Sequence, residues 1–168
     1  MERRQEMKTG TSKALLALAL AAASVTGLAN DKSERDHSDK DKGKVVLRTD
    51  KIYPPIGPYS QMVAYGNLIY FSGFIALNKT GDALEGTTIE EQTRRVLDYI
   101  GAGLESQGLG YDDVLSVTVY MKDLNEFAAM NQVYAGYFRR DPPARSTIQA
   151  ARLPRDAKIE ISIVAGRR

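Results

Sequence analysis

The chain has 168 residues, with 23 Lys and Arg against 21 Asp and Glu, one histidine and no cysteine. Without cysteine there are no disulfides, thiol nucleophiles or thiolate metal sites. Over residues 45–168 the charges balance at 14 of each sign, so no basic surplus drives phosphate binding and no nucleic-acid partner is expected.

Arg3, Arg4, Lys8 and Lys13 bias the N-terminus positively, and residues 14–25 form an apolar run, ALLALALAAASV. Thr26-Gly27-Leu28-Ala29 then supplies a small-x-small ending. Residues 1–29 therefore read as a signal peptide cleaved after Ala29, which implies export to the periplasm and no stable membrane association after cleavage. The apolar run is short of the roughly 20 residues a bilayer needs, which argues against a spanning anchor. Residues 30–44 hold no aliphatic or aromatic side chain and read as a disordered, charged linker. His37, with Asp31, Asp36 and Asp39 nearby in sequence, is read there as part of a solvated tether and not as a metal site. One domain remains, 45–168.

Within it, residues 45–47 read as a short strand, followed by a proline-rich stretch through Tyr53-Pro54-Pro55 to Gly57-Pro58-Tyr59-Ser60. Arms at 61–64 and 68–77 flank Tyr65-Gly66-Asn67, which predicts a hairpin. A loop over 78–87 leads to Thr88-x-x-Glu91, a capping box. Ile89, Val96, Leu97, Ile100 and Leu104 follow at helical spacing. A valine-rich strand is predicted at 114–121. Asp123-x-x-Glu126 reads as a second capping box, opening a helix that carries Phe127, Met130, Tyr134, Tyr137 and Phe138. Pro142-Pro143 ends that helix, and strands at 144–152 and 158–165 close the chain. Two helices cover one face of such a sheet, and alternation puts Val117, Val119 and Met121 on one side of their strand and Ser116, Thr118 and Tyr120 on the other. The uncovered, half-polar face points to self-association.

The residues that stand out chemically are Arg145, at a strand entrance, and Glu160, flanked by Ile159 and Ile161. Two readings stay open. Glu160 is either a sheet-face charge paired with Lys158 or Arg145, or a proton carrier working on a ligand whose carboxylate Arg145 receives through its donor fork. Ser72 and Tyr59 are polar groups amid apolar segments, open to ordinary turn and strand roles as well. No GxGxxG or GxxxxGK[ST] loop is present, and the domain offers no histidine base.

In these residues the chain resembles the reactive-intermediate deaminases, the RidA or YjgF family, whose older names are endoribonuclease L-PSP and translation inhibitor proteins. The resemblance runs from about residue 46 to 168. It is carried by Ile56-Gly57-Pro58-Tyr59-Ser60-Gln61, Phe71-Ser72-Gly73, Asn131-x-x-Tyr134, Pro143-Ala144-Arg145-Ser146, Ala151-Arg152-Leu153-Pro154 and Ile159-Glu160-Ile161. It implies an α+β, chorismate-mutase-like fold with a mixed β-sheet and two helices on one face, assembled as a homotrimer with ligand clefts between subunits. It further implies hydrolysis of 2-iminobutanoate and 2-iminopropanoate to 2-oxo acids and ammonia, without metal or organic cofactor. Glu160 and Arg145 match the family's catalytic pair, and Tyr59, Ser72, Gly73 and Arg145 its substrate contacts, with a backbone group near Thr147 assisting. Phe74 departs from the glutamine usual after Ser-Gly, with consequences for either cleft shape or core packing. The alternatives are a noncatalytic binder of small carboxylates or a holdase-like stress protein, and, less favoured, a ribonuclease.

Overall fold

Period-two alternation and two amphipathic helices build one sheet with one covered face. The computed structural model describes residues 43–167, so the expected signal peptide and most of the expected linker lie outside the described residues. The strands are β1 (Val45–Leu47), β2 (Met62–Tyr65), β3 (Leu68–Phe71), β4 (Val114–Met121), β5 (Ala144–Gln149) and β6 (Ile159–Gly166). The helices are α1 (Ile89–Glu105), between β3 and β4, and α2 (Phe127–Ala135), between β4 and β5. The sheet order is β1-β2-β3-β6-β4-β5. Only β4 and β5 run parallel, because α2 carries the chain across between them. The fold is α+β with a mixed sheet.

The β2–β3 hairpin closes where the sequence predicts, with Tyr65 opposite Leu68 and Gly66 at φ 55°, a left-handed value that suits glycine. Thr88 caps α1 as expected: its hydroxyl accepts the Glu91 amide at 3.1 Å, and the Glu91 carboxylate accepts the Thr88 amide at 3.1 Å. Ile89, Val96, Leu97, Ile100 and Leu104 are all buried, facing Met62, Ile69, Phe71, Ile161 and Ile163 in one apolar core. Each such side chain contributes on the order of 1.5–3 kcal/mol on transfer from water. The buried Gln92 locks layer to layer, donating to the Gly86 carbonyl at 3.0 Å and accepting the Lys158 amide, just before β6, at 2.8 Å.

Four predicted elements come out differently. The helix expected to run to Pro142-Pro143 ends at Ala135, so Tyr137 and Phe138, expected on its face, lie past its end. Asp123-x-x-Glu126 is not a reciprocal capping box. Asp123 accepts the Asn125 amide at 2.9 Å over a 3-10 turn, Leu124–Glu126, and α2 begins only at Phe127. The Glu126 carboxylate is taken instead by Lys158 Nζ at 2.8 Å. The strand expected over 144–152 stops at Gln149, opposite Met121, where its partner β4 ends. The arm expected over 68–77 breaks after Phe71 and resumes as isolated pairings of Phe74 with Ile161 and Leu77 with Leu84.

That break forms the site. β3 pairs with β6 through Leu68–Gly166, Ile69–Ala165 and Tyr70–Val164. Continued, this register would set Gly73 opposite Ile161. Phe74 takes that place, exchanging both backbone hydrogen bonds with Ile161 at 2.9 and 3.0 Å. One extra residue is therefore accommodated within 71–73, a β-bulge. Phe74 lands in the core, 1 % exposed and edge-on to Tyr53 and Phe71, so this departure is a matter of core packing.

Candidate active site

The bulge, the proline-rich loop and the turn before β6 meet around a cavity of about 320 Å³. Its polar wall is Tyr53, Tyr59, Ser72, Gly73 and Glu160, and its apolar wall is Ile56, Ile75 and Pro154. Three of the predicted contacts, Tyr59, Ser72 and Gly73, thus come together with Glu160.

Glu160 alternates out of the core between the buried Ile159 and Ile161 and shares a cross-strand row with Tyr120. It is half-buried, and among the described residues no hydrogen bond or ion pair reaches its carboxylate; Lys158 is engaged by Glu126. Burial therefore raises its pKa above the ordinary carboxylate value of 4.5, with no cation to offset it. An ideal Cβ on Gly73 would lie 1.9 Å from Glu160 Oε1 and 2.7 Å from its Cδ, so the carboxylate occupies the space that glycine leaves empty. This close approach, and no unusual φ, is what requires glycine there.

The hydroxyls around the carboxylate are oriented by backbone. Ser72 Oγ donates to the Ser60 carbonyl at 2.7 Å while its amide donates to the Gln61 carbonyl at 3.0 Å, which leaves the Oγ lone pairs for a ligand donor. Tyr59 Oη accepts the Ile56 amide at 3.2 Å and keeps its own proton to donate. Gln61, buried, holds the whole loop: it donates to the Tyr53 carbonyl at 2.9 Å and accepts the Thr49 amide at 2.9 Å. Pro154 is presented by a turn in which Arg155 and Asp156 adopt left-handed φ values of 57° and 60°. The Arg155 guanidinium donates to the Asp82 carbonyl at 2.8 Å and Asp156 accepts Lys122 at 2.7 Å, so this strained turn is clamped at two points.

Arg145 and Thr147 lie elsewhere. They pair with Val117 and Val119 of β4, whereas Glu160 pairs with Tyr120, so within one chain they stand on opposite faces of the sheet. The Arg145 guanidinium sits 4.4 Å from the Tyr134 ring centroid and 5.6 Å from that of Phe127, both on the helix side. Thr147 Oγ1 is buried there without a partner. Neither the pairing of Glu160 with Arg145 nor that with Lys158 occurs in the chain. Tyr53, Ile56, Ile75 and Pro154 were not predicted as cavity residues. The one signal was Gly73 itself, since an isolated glycine in a strand pattern marks a bulge or a close approach.

Fold and cavity together define a small α+β protein with a ligand-sized cleft, in which burial raises the pKa of an uncompensated carboxylate and of the Tyr53 phenol. The sequence pattern of the Endoribonuclease L-PSP family matches residues 49–166, and the chain belongs to that family, known also as the RidA or YjgF family. A RutC family protein of Pyrococcus horikoshii is 47 % identical over 123 residues, covering 73 % of this chain and 97 % of its own. The 2-iminobutanoate/2-iminopropanoate deaminase of Escherichia coli K12 is 42 % identical over 127 residues, covering 73 % and 98 %. Among solved structures, the YjgF gene product of E. coli superposes with a TM-score of 0.69 at 41 % identity, covering 74 % of this chain and 99 % of that one. E. coli TdcF with bound serine does so with a TM-score of 0.69 at 35 % identity and the same coverage.

Proposed function

We propose that the protein hydrolyses reactive imines of small 2-amino acids, 2-iminobutanoate and 2-iminopropanoate, to 2-oxo acids and ammonia. The observation that carries this reading is the Glu160 carboxylate: half-buried, without a charge partner and abutting Gly73 in a ligand-sized cavity. The family relative named for this activity supports it. A protonated imine carbon is already electrophilic, so the protein has only to place water and move protons. Glu160 takes a proton from water as the oxygen bonds to C2 and the C=N electron pair moves to nitrogen, giving a carbinolamine. It then returns that proton to nitrogen, the C–N bond breaks and the C2 hydroxyl becomes the oxo group. The hydroxyl proton ends on ammonia as ammonium, and Glu160 is left ionised again. No metal or organic cofactor is required.

The same reading makes the working unit a homotrimer. Arg145 lies across the sheet from Glu160, so for Arg145 to meet the ligand carboxylate in this cavity it has to be supplied by a neighbouring subunit. The edge strand β5, with Ala144, Ser146 and Ile148 exposed, and the uncovered sheet face are the surfaces available for that contact. A second reading, binding of a small amino or oxo acid without turnover, draws on the structural neighbour that holds serine. The test generates imino acid with an amino acid oxidase in the presence of semicarbazide. Added protein should suppress semicarbazone formation and release 2-oxo acid. Binding of 2-oxobutanoate without any suppression would replace hydrolysis by the binding role.

A further inference from the structure

One buried polar group on the cavity wall takes no part in the proton transfers of Glu160. The Tyr53 ring is 1 % exposed and is held edge-on by Phe74, with centroids 5.8 Å apart at 83°, and by Tyr99, 5.2 Å apart at 80°. Two T-shaped contacts on one ring fix where its hydroxyl lies. Tyr53 Oη accepts the Ile75 amide at 3.2 Å, which spends a lone pair and leaves the hydroxyl proton to be placed. Among the described residues the hydroxyl donates no hydrogen bond. A buried donor left unpaired bears its full desolvation cost, so the proton is poised for whatever fills the cavity. Desolvation also holds the phenol far above its ordinary pKa, with Tyr59 and Glu160 adding to the shift, so it is a neutral donor at every physiological pH.

We propose that the Tyr53 hydroxyl donates a hydrogen bond to the oxygen on C2 of the bound ligand, as a second group touching the reacting end. The inference rests on the imine-hydrolase reading, in which that oxygen belongs first to the carbinolamine and then to the 2-oxo product. The ligand's carboxylate is not the acceptor, because Tyr53 shares its cavity with Glu160, which repels an anionic carboxylate and works at C2. A neutral donor suits a neutral carbonyl or hydroxyl oxygen and does not compete with Glu160 for protons. Glu160 moves protons; Tyr53 holds the oxygen they leave.

The experiment compares Tyr53→Phe with the unaltered full chain by calorimetric titration with two ligands, 2-oxobutanoate and butanoate, which differ only at C2. The expected result is about a tenfold weaker dissociation constant for 2-oxobutanoate, the worth of one hydrogen bond, with butanoate changed less than about twofold. Equal weakening of both ligands assigns Tyr53 a structural role and overturns the proposal, as does unchanged affinity for 2-oxobutanoate. If the unaltered protein binds no 2-oxobutanoate, the functional reading itself fails and takes this inference with it, a different outcome from failure of the variant comparison alone. Because the Ile75 amide loses its acceptor, the variant's melting temperature is measured first, and a variant that unfolds below assay temperature is set aside. In that case the C2=O stretch of isotopically labelled 2-oxobutanoate bound to the unaltered protein decides. A stretch lowered relative to the ligand in an aprotic solvent supports donation, and one at or above the aprotic value refutes it.

Discussion

Replacing Gly73 by alanine probes the carboxylate placement with a single methyl group. The new Cβ would stand 1.9 Å from Glu160 Oε1, 2.7 Å from Cδ and 3.0 Å from Cγ. The carboxylate must withdraw by about 1.5 Å, from 1.9 Å to the 3.4 Å at which ordinary contact begins. The backbone does not resist, because Gly73 is not among the residues with positive φ. The displaced atoms are the end of a flexible side chain beside an open cavity, so the melting temperature should change little. Catalysis should not be spared: a misplacement of about 1 Å in a reacting group costs on the order of 100-fold. We expect imino-acid hydrolysis, read by semicarbazide competition, to fall by about that factor, with melting within about 3 °C of the unaltered protein. Turnover within about threefold of the original would refute the argument that Glu160 works from the space beside Gly73.

Glu160→Gln should abolish most hydrolysis while 2-oxobutanoate still binds, and near-normal turnover would remove Glu160 from its assigned role. The same variant tests the electrostatics. Burial keeps this carboxyl protonated to higher pH in the folded chain than its ordinary 4.5, so its contribution to stability is full below 4.5 and is lost as pH rises through the raised value. The melting temperature of Glu160→Gln relative to the unaltered protein should therefore climb from below pH 4.5 towards neutrality, and parallel pH curves would contradict this. Arg145→Lys keeps the charge but loses the bidentate fork, and should weaken 2-oxobutanoate binding about 10- to 150-fold with the oligomer mass in solution unchanged. Dissociation into monomers would make Arg145 an interface residue first, its guanidinium being needed over Tyr134 and Phe127. Intact-mass measurement of periplasmic material should find a mature chain beginning near Asn30; a full-length cytoplasmic species would refute export.

Local rules were enough for the order of the elements and for many of the core side chains, though not for where several elements end. Alternation placed Val117, Val119 and Met121 inside, and helical spacing placed Ile89, Val96, Leu97, Ile100 and Leu104 there; all eight are buried. The Thr88–Glu91 cap and the Gly66 turn were equally legible, because each is decided by a few neighbours in sequence. Asp123 and Glu126 show where such rules stop. The same spacing that caps α1 gave no box here, because Lys158, 32 residues away, offers Glu126 a competing ion pair. The site depended on tertiary structure still more. Glu160 on the outward face was readable from alternation, but its unpaired state depends on Lys158 being occupied and on Gly73 arriving across a bulge. That bulge appears only when β3 is laid against β6 and the registers of Tyr70–Val164 and Phe74–Ile161 disagree by one residue. Whether Arg145 shares a face with Glu160 is likewise a matter of strand order and parity, set by β4 lying between β5 and β6. Backbone propensity and side-chain period act over a few residues, whereas pairing register and cavity walls are settled by groups tens of residues apart that meet only once the core has closed.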